Sequence, residues 1–149
     1  MNAQTKSLHA SSNPQLVGAW TLKSCFMEDV ETKERKAAWG ERPNGTLILT
    51  AGGQWIVVQT SEGRKAPRSD DDRCAAFRSM LAYAGKYRVE GQKILIDVEV
   101  AWDESWTGTE QVRFFRIEGD SLHIEAAPQR YASFGNQVLR GILIWERAE

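Results

Sequence analysis

Six side chains able to do chemistry, Tyr83, Tyr87, Asp97, Glu99, Gln111 and Arg113, fall within short apolar runs in the second half of the chain. On a strand, alternate residues share a face, so if Phe115 turns toward a core then Arg113 and Gln111 turn with it. A buried guanidinium calls for a carboxylate partner, and Asp97 or Glu99 would supply one. Such a group could be an internal ion pair that fixes strand register, or a polar anchor for a small molecule in an apolar cavity. In a dry cavity, Glu99 or Asp97 could also act as general base or acid, tuned by burial and Arg113, with a tyrosine donating a hydrogen bond. His123 alternates away from Leu122 and Ile124, which sends it to an outer face beside Glu125. Cys25 shares a face with Thr21 and Lys23 and reads as exterior. There is no Ser-His-Asp order, phosphate loop or dinucleotide fingerprint.

These residues need strands to position them, and the period-two pattern supplies eight. The first runs from Leu16 to Met27, with Leu16, Gly18, Trp20, Leu22, Ser24 and Phe26 on the face expected to be buried. Thr46–Thr50 and Gln54–Gln59 flank Ala51-Gly52-Gly53 and form a hairpin. Ser69 followed by three aspartates gives an N-cap with an acidic first turn, a capping role rather than a metal site, since consecutive helix positions diverge. The helix it opens carries an apolar stripe of Cys74, Phe77, Met80 and Leu81 and extends to about Ala82. Strands follow at Tyr83–Glu90, Lys93–Val100, Thr109–Glu118, Ser121–Ala127 and Gln137–Arg147. In Lys93–Val100 the pattern sets Ile94, Ile96, Val98 and Val100 against Leu95, Asp97 and Glu99. Hydrophobicity sends those carboxylates outside and the need of Arg113 draws one inside, so both orientations stand. Three longer connections bring aromatic rings: Trp39 within Glu28–Asn44, Trp102 and Trp106 within Ala101–Thr107, and Tyr131 with Phe134 after Pro128.

The 149 residues, 42% of them hydrophobic, suffice for one core, read here as a tail over 1–14 and a domain over 15–149. Nineteen basic against twenty acidic residues, without a basic stripe, give no reason to expect nucleic acid as a partner. The first fourteen residues lack an apolar run of signal-peptide length and no segment approaches a membrane span, which points to a cytoplasmic chain, monomer or homodimer, without membrane insertion. Two cysteines with no CxxC and no Cys/His cluster suggest neither a disulfide framework nor a metal site, and no cofactor motif is found. Short glycine turns at Gly52-Gly53, Gly91 and Gly119 join neighbouring strands in a meander. The fold class is therefore all-β: an eight-stranded antiparallel up-and-down barrel with one short helix inserted between strands 3 and 4.

Several segments together resemble the lipocalin-like domain proteins of the calycin superfamily, of bacterial and fungal intracellular type. They are Leu16-Val-Gly-Ala-Trp20, Tyr83-Ala-Gly-Lys-Tyr87, Val98-Glu-Val100, Trp106-Thr-Gly-Thr-Glu-Gln-Val-Arg113 and Ile144-Trp-Glu-Arg147. The resemblance implies that Gly18, Trp20 and Arg147 close one end of the barrel, the guanidinium lying over the indole, and it favours Glu99, Gln111 and Arg113 as site residues. It also implies a hollow at the other end for a small hydrophobic ligand or substrate. Tyr83, Tyr87, Gln111 and Arg113 would orient a polar or carboxylate group, and Trp102, Trp106, Tyr131 and Phe134 would stand at the mouth. A second reading makes the barrel a cofactor-independent isomerase or cyclase using Glu99 or Asp97, and a third a protease-inhibiting calycin presenting the Glu28–Asn44 loop.

Overall fold

A computed structural model describes residues 13–131, 134, 135 and 137–149, so most of the expected tail lies outside the described residues. Eight strands form the closed antiparallel barrel: β1 (Gly18–Asp29), β3 (Asn44–Leu49), β4 (Gln54–Thr60), β5 (Met80–Glu90), β6 (Lys93–Ala101), β7 (Glu110–Glu118), β8 (Ser121–Ala126) and β10 (Val138–Arg147). Each pairs with the next in that order and β10 returns to β1, which leaves the wall without an edge. Two short strands were not expected. β2 (Arg35–Ala37) straps onto the mouth end of β1, and β9 (Gln129–Arg130) onto β10. The loop over 28–44 is thus hairpinned against the wall, and its Trp39 is buried in the core instead of resting on the rim.

The floor brings Gly18, Trp20 and Arg147 together. Gly18 has φ 136°, open to glycine alone, and a Cβ there would stand 2.8 Å from the Glu149 carbonyl oxygen. Trp20 is wholly buried, its indole N–H donates to the Leu16 carbonyl at 3.0 Å, and the Arg147 guanidinium carbon sits 4.2 Å from its ring centroid. Arg147 also donates to the carbonyls of Val17 (3.1 Å) and Gln15 (2.6 Å).

Two bulges change which side chains face inward. In the β1–β10 register Leu22 opposes Trp145 and Ser24 opposes Ile144, so Lys23 is an extra residue. Beyond it the alternation reverses. Cys25 and Met27 enter the lumen, whereas Phe26, expected inside, is 38% exposed. In the β5–β6 register Ala84 opposes Val100 and Gly85 opposes Val98, making Glu99 the extra residue. Gly85 is required there because a Cβ would overlap the Asp97 carbonyl oxygen. Val100, which alternation groups with the buried Ile94, Ile96 and Val98, is consequently 60% exposed.

The helix α1 (Asp70–Arg78) lies between the third and fourth barrel strands and is capped as read, the Asp72 N–H donating to Ser69 Oγ at 3.1 Å. It ends earlier than expected, at Ser79, and none of its residues is buried. Met80 and Leu81 belong to β5, and Cys74 is exposed, not packed. Among the described residues no helix is long and apolar enough to cross a membrane.

Candidate functional site

Opposite the floor, the loops deliver a layer of rings. Trp102 and Trp106 meet edge to face at 5.1 Å, followed by Trp106 and Tyr131 (6.0 Å), Tyr131 and Phe134 (6.4 Å), and Phe134 and Trp39 (5.5 Å). A 3-10 turn, Glu104–Trp106, aims Trp106 inward, and Asp103 caps it by accepting from the Ser105 N–H at 3.0 Å. Trp39 is held by donating its indole N–H to Gln59 at 3.0 Å. Tyr83 lies against Trp106 at 5.3 Å and stacks on Trp55 at 6.0 Å. The four aromatic residues expected at the mouth are therefore brought together, with Trp39 as a fifth.

Beneath this layer β7 turns Gln111, Arg113 and Phe115 inward. Arg113 is 5% exposed, with its guanidinium 5.7 Å from the Tyr83 ring centroid. Its hydrogen-bond acceptors are neutral: the Val112 carbonyl at 2.9 Å and Gln111 Oε1 at 3.5 Å. That Gln111 oxygen also accepts from Gln129 at 2.8 Å, and Gln111 donates to Thr109 at 3.0 Å. Among the described residues no carboxylate pairs with Arg113, and the remaining residues of the chain include no Asp or Glu. Among the described residues the indole N–H of Trp145 is buried without a hydrogen-bond partner, and that of Trp55 has only the Tyr83 hydroxyl beside it. Burial pushes the Tyr83 phenol above its ordinary pKa, partly opposed by the Arg113 charge, and burial does the same to Tyr131.

The carboxylates expected beside Arg113 are elsewhere. Asp97 and Glu99 lie on the outer wall, their side chains 64% and 53% exposed. Asp97 pairs with Arg88 at 3.7 Å and Glu99 with Lys86 at 3.7 Å. The apolar face of β6 wins the interior because burying Ile94, Ile96 and Val98 is favourable and ionised side chains stay in water. Tyr87 is buried but not at the site, since its hydroxyl donates to the Thr50 carbonyl at 2.8 Å near the floor. His123 stands on the outer surface as read, between Arg116 (3.2 Å) and Glu118 (3.8 Å).

Cys25 was missed, and only the Lys23 bulge puts it inside. Both cysteines are free, and burial pushes the Cys25 thiol up to about 12. A thiol reagent at pH 8 is accordingly expected to label one cysteine per chain, Cys74, in the native protein and two in guanidinium. Two fast-reacting thiols under native conditions would contradict the inward placement.

The expected hollow is largely filled. The cavity bounded by Arg113, Tyr83, Trp55, Trp145, Cys25 and Met27 measures about 30 Å³, room for roughly one or two waters. A larger concavity of about 800 Å³ lies outside the barrel between residues 61–68 and α1. Its walls are mostly exposed residues, and Arg64 bridges them by donating to Ser79 and the Ala76 carbonyl, so it is an open surface groove. Residues 17–148 match a family described as a lipocalin-like domain, which spans the whole barrel. Among curated proteins none matches.

Proposed function

The chain belongs to the lipocalin-like domain family, and from that premise we propose that its barrel binds a small, largely apolar molecule bearing a polar or carboxylate group. The observation that carries this reading is Arg113, a guanidinium withdrawn from water with only neutral acceptors. A charge buried in that way costs stability, and an acceptor brought by a ligand would offset the cost. Tyr83 and Tyr131 stand beside it as further polar groups, and Trp102, Trp106 and Phe134 offer apolar surface. Sites for small molecules usually hold about 300–1,000 Å³, so binding has to displace side chains that now fill the lumen. Isomerisation or cyclisation in the same lumen has less support, because the bases it would use, Asp97 and Glu99, are on the outer wall. Native mass spectrometry of gently purified protein tests the proposal: a bound organic molecule released on denaturation is expected. Protein that is always ligand-free, and whose unfolding midpoint no apolar acid, alcohol or amine raises, would overturn it.

A further inference from the structure

Met27 lines the small lumen cavity and also a separate cleft of about 160 Å³ at the mouth end of the barrel. The cleft lies between the β1–β2 hairpin and the start of β10. Met27, Ala37, Ala38, Phe134 and Leu139 give it apolar surface, and Asp29, Glu34, Lys36 and Gln137 contribute polar groups. One unbranched thioether thus borders both spaces. Of the apolar side chains it is among the easiest to swing aside, having three rotatable bonds. By contrast, the rings across the mouth are locked in successive contacts.

We propose that cleft and lumen are one binding site divided by Met27, and that its occupant is an elongated amphiphile with an anionic head. The head lies at Arg113 and the apolar tail runs outward through the space Met27 vacates and along the cleft beside Phe134. This deepens the reading of the lumen as a binding site and rests on it. The orientation follows from the distribution of donors and acceptors. At the inner end Arg113 lacks a carboxylate and, among the described residues, the Trp145 N–H lacks an acceptor. At the outer end two carboxylates, Asp29 and Glu34, stand with a single lysine. Asp29 already accepts from the Glu31 and Thr32 N–H groups at 2.8 and 3.1 Å. An anion is therefore drawn inward and repelled from the rim.

The test uses straight-chain carboxylates from hexanoate to tetradecanoate, with decanol as neutral control, titrated by calorimetry against the full chain. With Met27→Ala, decanoate and tetradecanoate are expected to bind at least tenfold tighter than to the unaltered protein, and hexanoate about equally. The longer tails alone would occupy the position of the lost side chain. Met27→Val gives a smaller shift of the same pattern should the alanine variant fail to fold. A gain equal at all lengths, or one appearing with Trp102→Ala and not with Met27→Ala, would overturn the proposed passage. Decanol binding as tightly as decanoate would overturn the anionic head while leaving a binding lumen. Failure of every probe with both proteins would overturn this proposal, and the ligand-free result in mass spectrometry would separately remove the reading beneath it.

Discussion

Replacing Trp20 by alanine is expected to cost about 3–5 kcal/mol of folding stability, the usual range for a fully buried aromatic. The indole is wholly inaccessible, and the surrounding floor has little freedom to collapse into its place. Gly18 is held at φ 136° against Glu149, and Arg147 is tied to two carbonyls across the closing seam. The loss also removes the surface over which the guanidinium lies, a contact worth about 0.5–2 kcal/mol. Arg147→Ala should consequently be milder, because the indole keeps its packing and its bond to Leu16. Urea unfolding followed by tryptophan fluorescence or circular dichroism reads both. A Trp20→Ala loss below about 1 kcal/mol would mean that the floor is not the structural anchor described here.

Arg113→Met should move stability and binding in opposite directions. Without ligand the variant is expected to be more stable by about 1–4 kcal/mol, because a buried cation lacking a counter-charge gives way to an apolar side chain of similar length. Affinity for an anionic ligand should fall by about two orders of magnitude or more, as when one partner of a buried charge pair is removed. Thermal or urea unfolding gives the first quantity and calorimetry the second. Opposite signs identify a group kept for binding. A variant less stable than the parent would instead make the guanidinium a structural element, held by Gln111 and the Val112 carbonyl for the sake of the barrel.

The pattern of apolar residues was enough to read the eight barrel strands, and the family resemblance supplied the floor, where Trp20 lies ahead of the Lys23 bulge and directly opposite Arg147 in register. Arg113 and Gln111 were legible from the pattern, their strand being regular throughout. The errors gather where a residue is inserted. At Lys23 nothing in the local composition signals a bulge, so Cys25 and Met27 were assigned to the wrong side. At Glu99 a signal did exist, on the neighbouring strand: Gly85 inside an otherwise side-chain-rich run marks a close backbone approach. Tyr87 shares a face with Tyr83, but faces do not report height along the barrel, and one strand carries a tyrosine toward each end. How completely the lumen is filled was out of reach, since composition measures how much apolar matter a core contains and not how closely it fits.

The irregularity in β1 has a further consequence for how this wall tolerates changes in length. Losing one residue from the middle of a regular strand normally turns everything downstream inside out. Here the pairing with β10 already skips Lys23, so excising it would merely regularise the strand. Trp20 and Leu22 below the gap, and Cys25 and Met27 above it, would keep their present sides, whereas excising Cys25 or Phe26 would either turn the residues that follow inside out or, by closing the bulge, bring Ser24 to the lining.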